Sequence, residues 1–249
     1  MNTHEDRYAG SERCSTCAIR HRAVCGALDG EELELLNRIA RRRHFSVGQV
    51  IMSDEDRSEF FANVVSGVIK LTKTLPDGRQ QIVGLLFAPD FLGRTFSQNN
   101  PYFAEAASDV ELCCFPHSSF EQLLKQAPGL EHRLFERTLD ELDSAREWMV
   151  LLGRKTAQEK VASFLCLIAK RSLLTGCPHN GAPRHPTFEL PLSRADIADF
   201  LGLTIETVSR QITRLRTSEL IRLSDNQHFL IPDLAALNAL AGQDLPAFH

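Results

Sequence analysis

Leu33, Leu36 and Ile39 recur at helical spacing within Glu31–Arg42 and predict a short helix there. From about Arg43 to Phe115 the pattern changes. Short β-prone runs, Asn63–Val65, Val68–Thr74 and Gln81–Phe87, alternate with turn residues, and Gly48, Gly67, Gly78, Gly84 and Gly93 punctuate them. Pro76-Asp77-Gly78 separates two of these runs and predicts a hairpin, because glycine accepts a positive φ and Asp-Gly favours the tight turn. Several short strands with regular turns imply a sandwich or barrel. At Pro116 helical patterning returns. Ser118–Lys125 reads as a short helix, and Leu130–Leu152 as a long one without Gly or Pro until Gly153. Lys155–Arg171 reads as a third, carrying Val161, Phe164, Leu165 and Ile168. Thr175–Thr187 holds three prolines and two glycines and predicts a loop.

Phe135, Thr138, Leu142, Ala145, Met149 and Leu152 follow a 3-4-3-4-3 spacing on the long helix. This is the spacing of a coiled-coil seam. A helix lying on its own domain has a similar stripe, but the charged opposite face (Glu136, Arg137, Asp140, Glu141, Asp143, Glu147) favours the seam. Thr138 and Ala145 make it a weak one, suited to a dimer whose strength can be switched.

Residues 192–215 read as a helix–turn–helix. Ser193 is placed to cap the first helix, with Asp196 three residues on in a capping-box arrangement. Gly202 stands where that helix must end in a left-handed residue, and Thr204 where the next needs its cap. Ile205, Val208, Ile212 and Leu215 form the expected buried face. Glu206, Ser209 and Arg210 fall together on the other face, near the N-terminal end, where a recognition helix meets base edges. Arginine reads guanine, glutamate accepts from cytosine N4, and serine contacts donors or acceptors. Arg214 and Arg216 suit phosphates better. A solvated helical hairpin could carry such charges, but caps, turn and spacing agree over 24 residues. Leu220–Leu223 and His228–Ile231 predict a small hairpin after the recognition helix, the wing of a winged helix.

The charge distribution agrees with two jobs. The net charge of −4 does not advertise nucleic-acid binding. Residues 154–232, however, carry 11 Lys+Arg against 7 Asp+Glu, a surplus of four that leaves −8 for the remainder. No apolar run of about 18 residues could span a bilayer, so no membrane role is expected. Met-Asn-Thr-His-Glu-Asp-Arg lacks the apolar core of a signal peptide, which predicts a cytoplasmic protein.

In a reducing compartment the seven cysteines point to a metal site rather than a disulfide framework. Cys14, Cys17 and Cys25 form a C-x2-C-x7-C run, and Cys113-Cys114 lies in a strand-like stretch some ninety residues later. Four thiolates drawn from such separate positions suit zinc or an iron–sulfur cluster. Neighbours in a strand point to opposite faces, so only one of Cys113 and Cys114 can join the first three. Cys166 lies in an apolar helical stretch and predicts packing; Cys177 sits in the loop. His21 and His44 read as structural or solvated.

Leu201-Gly-Leu-Thr-Ile-Glu-Thr-Val-Ser-Arg210 resembles the recognition segment of the CRP/FNR transcription regulators, with Glu-x-x-Ser-Arg as the FNR-type signature. Arg20-His-Arg-Ala-Val-Cys25, Val83-Gly-Leu-Leu86, Asp90-Phe-Leu-Gly-Arg94, Thr138–Asp143, Arg146–Met149 and Leu151–Thr156 are similar to its FnrL branch. The resemblance spans about residues 12–235. It implies an α+β chain: a cysteine-rich arm (1–28), a sensory β-roll of the cyclic-nucleotide-binding jelly-roll type (29–129), a dimerisation helix (130–153) and a winged helix–turn–helix (154–240). It also implies an oxygen-labile [4Fe–4S] cluster on Cys14, Cys17, Cys25 and a fourth cysteine three residues before a proline, which is Cys113 before Pro116. Val110, Leu112 and Cys114 would then face the core. The cluster would support a homodimer that binds a TTGAT-N4-ATCAA palindrome and contacts RNA polymerase, and oxygen would inactivate it. With the cluster lost, nothing obvious in the sequence anchors residues 1–28.

Three rivals remain at this level. A cyclic-nucleotide sensor on the same fold would need an arginine for the phosphate, but Tyr102–Ser108 has none and carries Glu105, so no cyclic nucleotide is expected. A zinc or thiol-redox switch on the same thiolates would be colourless. An iron–sulfur enzyme is disfavoured, since no second-cofactor motif or nucleophile–base pair is evident and the helix–turn–helix would go unexplained.

Overall fold

The structure is a computed structural model and describes residues 14–54, 57, 59–97, 99–175, 186–225 and 227–242. After a short 3-10 turn at Val24–Ala27, α1 spans Gly30–Ile39. Eight strands follow: β1 (Arg41–Phe45), β2 (Val50–Met52), β3 (Phe60–Ser66), β4 (Val68–Thr74), β5 (Gln80–Phe87), β6 (Phe91–Leu92), β7 (Phe103–Ala106) and β8 (Val110–Pro116). Then come α2 (His117–Gln126), α3 (Pro128–Arg154), α4 (Ala157–Thr175), β9 (Thr187–Glu189), α5 (Arg194–Leu201), α6 (Ile205–Thr217), β10 (Arg222–Leu223), β11 (His228–Leu230) and α7 (Leu234–Leu240).

Two antiparallel sheets, ordered β1-β8-β3-β6 and β2-β7-β4-β5, make the expected strand-rich region. The β4–β5 hairpin turns at Pro76-Asp77-Gly78, where Gly78 has φ 87° and Leu75 and Arg79 close the turn through a 2.8 Å backbone hydrogen bond. The expected helix ends earlier than its periodicity implied. Ala40 N–H bonds Leu36 O, and Arg41 and Arg42 open β1, paired with Cys114 and Cys113. Pairing with β8 overrides the weak local preference of an arginine run.

The residues divide into two compact units. One holds the chain up to Ile69 and Leu86–Arg137; the other holds Lys70–Leu85 and the chain from Thr138 onward. In the first, α1 and α2 cover one face of β8 and β3. Leu36, Phe61, Phe115, Phe120, Leu123 and Leu130 build a buried cluster there. Ile19, Val24 and Leu28 join that cluster. The cysteine arm from residue 14 on is therefore anchored by apolar packing, contrary to the expectation that a metal alone would hold it. Three large apolar residues spaced five and then four apart give no period to recognise.

In the second unit, the winged helix–turn–helix is present. The capping box is formed: Ser193 Oγ accepts from Asp196 N–H at 3.0 Å, and Ser193 N–H donates to Asp196 Oδ2 at 2.9 Å. Gly202 closes α5 at φ 61°, and Thr204 Oγ1 accepts from Thr207 N–H to open α6. The wing hairpin is β10–β11, but β9 extends it to three strands through Phe188↔Phe229. The 187 end of the expected loop is thus a strand. Residues 176–185, including Cys177, lie outside the described ones.

The β4–β5 hairpin belongs to this second unit. Lys70 Nζ meets Asp196 Oδ1 at 3.0 Å, and Gln81 Nε2 donates to Phe200 O at 3.2 Å.

Candidate cluster pocket and DNA-reading helix

On β8 the side chains alternate. Val110, Leu112 and Cys114 are buried on one face, while Cys113 and Phe115 point to the other, toward the arm and α1. Cys14, Cys17, Cys25 and Cys113 all line one pocket there, with Ile19, Leu36 and Phe115 as its apolar walls. Cys114 does not line it. Neither His21 nor His44 lines it. Cys166 is buried in α4, as its apolar neighbours implied.

Burial pushes the Cys25 thiol up to about 12, and the nearby Cys17 and Cys14 push in the same direction. Burial likewise raises Cys113 to about 12, against the opposing charge of Arg42. These groups are neutral thiols at neutral pH unless a metal displaces the proton, so loading releases protons and strengthens as pH rises.

Two polar groups reach the arm's sulfurs. Arg42 Nη2 donates to Cys17 Sγ at 3.5 Å, and Asn63 Nδ2 to Cys25 Sγ at 3.8 Å. Arg42 Nη1 also stands 3.1 Å from Glu111 Oε1. That atom has no aligned hydrogen bond, so the pair is a charge contact only.

A four-thiol donor set in an apolar pocket fits an iron–sulfur cluster or zinc. Zinc needs all four sulfurs about 2.3 Å from one ion. Among the described residues no three His, Cys, Asp or Glu side chains converge closely enough for a single ion.

On α6, Val208, Ile212 and Leu215 are buried as expected. Ile205 is not: it is 49 % exposed in the first turn. The spacing identifies an apolar face but not how far the packing partner runs along the helix. Glu206 and Arg210 are exposed and Ser209 is half-buried. Arg210 Nη2 donates to Thr207 Oγ1 at 3.4 Å, which steadies the guanidinium over the helix N-terminal end. Glu206 is held below the usual carboxylate range by its own backbone N–H and then by the Thr204 hydroxyl. It stays an acceptor at neutral pH.

Residues 159–240 match the family model of the Crp-like helix-turn-helix domain, and residues 42–127 that of the cyclic nucleotide-binding domain. The transcriptional activator protein FnrL of Cereibacter sphaeroides is 47 % identical over 93 % of this chain and 93 % of its own length. The chain belongs to the CRP/FNR family of transcription regulators. Another relative of this CRP/FNR regulator is the nitrogen fixation regulation protein FixK of Bradyrhizobium diazoefficiens, 45 % identical over 92 % of the chain and 93 % of its own length. The solved structure of FixK2 from Bradyrhizobium japonicum superposes with a TM-score of 0.73 at 31 % identity, covering 83 % of this chain and 99 % of that one. These relatives are regulators rather than enzymes, and α5 and α6 are the helices of the helix-turn-helix that the family model covers. No helix among the described residues is long and apolar enough to cross a membrane.

Proposed function

We propose that this regulator senses oxygen in the cytoplasm through a [4Fe–4S] cluster on Cys14, Cys17, Cys25 and Cys113. The observation that carries the reading is the convergence of these four thiols from the arm and β8 on one pocket, with Cys114 turned away. When bound, the cluster supplies an oxygen-labile centre that holds the arm to the sheet. Ile19, Val24 and Leu28 keep the arm docked, while the arm's cysteines take up the ligand positions. The arm also reaches α3 directly, since Arg137 Nη2 donates to Arg22 O at 2.6 Å. Movement of the arm thus reaches the helix that carries the seam.

The seam supports a homodimer. Phe135 is 60 % exposed, Leu142 44 % and Met149 72 %; Thr138 and Ala145 are exposed, and Leu152 is half-buried. A second copy of α3 would cover this face. Paired Glu206, Ser209 and Arg210 would then read the two halves of a TTGAT-N4-ATCAA-like palindrome, where the protein contacts RNA polymerase. Glu105 on β7 would repel a cyclic phosphate, so no cyclic nucleotide is expected.

Iron and sulfide assays with an absorption spectrum of anaerobically purified protein test the sensor. A brown protein with iron and sulfide near four each per chain is expected. A colourless protein holding zinc on the same thiolates would replace this reading with the zinc alternative.

A further inference from the structure

Resting on the cluster reading above, we propose that Arg42 and Asn63 are positioning residues for it, donating N–H···S hydrogen bonds that set its redox poise. Arg42 on β1 and Asn63 on β3 are both register partners of Cys113 on β8. Cross-strand partners share a face. The sheet therefore presents donor, thiol and donor in a single row, and each donor reaches a different cysteine of the arm. Arg42 Nη2 reaches Cys17 Sγ at 3.5 Å, and Asn63 Nδ2 reaches Cys25 Sγ at 3.8 Å.

Packing does not explain Asn63. It is 1 % exposed between buried Ala62 and Val64, and its Oδ1 has no partner. A leucine would fill the same position without leaving a buried carbonyl unsatisfied. A neutral thiol is a weak acceptor, and repays little of that cost. A ligating thiolate is a charged acceptor and repays more. Arg42 adds a positive charge on the other side of the row, oriented by Glu111. Hydrogen bonds to ligand sulfurs stabilise the more negative, reduced form of a cluster and raise its potential. Outer donors of this kind also hold ligands in place.

The test uses full-length protein loaded anaerobically with iron and sulfide. Four versions are compared: the natural chain, Asn63→Leu, Arg42→Gln and, as the charge-retaining control, Arg42→Lys. Resonance Raman spectra in H2O and D2O report N–H···S bonds as deuterium shifts of the Fe–S(Cys) bands, and spectroelectrochemistry reports the midpoint. The natural protein is expected to show the deuterium shift. Asn63→Leu and Arg42→Gln lose part of it, move the midpoint to more negative values and lose iron to a chelator about tenfold faster. Arg42→Lys recovers part of the potential. Unchanged bands and midpoint in both variants at full iron content overturn the proposal. If Asn63→Leu fails to load, the natural protein decides: no deuterium shift there overturns it. Natural protein that takes up no iron and sulfide overturns the cluster reading itself, and this inference with it.

Discussion

The reading helix and the cysteine pocket are built on opposite principles. Around α6 the helix ends are capped without any ligand: Ser193, Asp196, Thr204 and Thr207 cap two helices, and Gly202 makes the turn between them. The pocket differs in gathering groups that can act as ligands. It holds two thiols raised to about 12 and a buried amide oxygen without a partner. On the function proposed above, control would act on whether two readers are held together and would leave each reader unaltered.

The largest effect separates the two neighbours on β8. Cys113→Ser should abolish the visible absorption of anaerobically loaded protein, whereas Cys114→Ser, on the core face, should keep most of it. The reverse result would put the fourth ligand on the wrong face of the strand. Next comes the link between the regions. Leu142→Glu places a charge on the exposed stripe of α3, and sedimentation should show self-association weakened roughly a hundredfold, about 2.8 kcal/mol. The iron content should not change. Unaltered association would place the seam elsewhere.

Within the reader, Arg210→Ala should lose discrimination at one base pair by about 1–3 kcal/mol, measured across single-base variants of the palindrome. A uniform loss on every sequence would make Arg210 a phosphate contact. The smallest effect concerns the cap. Burial pushes the Asp196 carboxyl up, but hydrogen bonds from Ser193 and Lys70 outweigh it and hold the group below its usual value. A depressed folded-state value gives stability that is present above the unfolded value and lost as pH falls through the folded one. Asp196→Asn should therefore cost about 1 kcal/mol in neutral unfolding titrations. The cost should shrink at acid pH, below the usual carboxylate range. A pH-independent cost would show that charge plays no part in the cap.

The same contrast explains what the sequence disclosed. Caps and turns are local chemistry, so Ser193, Gly202 and Thr204 could be assigned from their neighbours alone, as could the hairpin at Gly78. Strand alternation separated Cys113 from Cys114 once a direction was supplied. Long-range pairing left no such trace. β1, Arg-Arg-Arg-His-Phe, becomes a strand only against β8, and β9, Thr-Phe-Glu, only against β11. The grouping of the β4–β5 hairpin with the second unit depends on contacts such as Lys70–Asp196, 126 residues apart. Arg42 and Asn63 were missed for the same reason. One signal was available for Asn63: a lone amide in the apolar run Phe60–Val65.

The most direct test of the account is the affinity of anaerobically loaded protein for a fluorescent TTGAT-N4-ATCAA duplex, measured by anisotropy at fixed salt before and after exposure to air. Tight, sequence-specific binding should be lost as the visible absorption bleaches, with Cys113→Ser failing to bind specifically under either condition. Binding of equal strength before and after bleaching would contradict it.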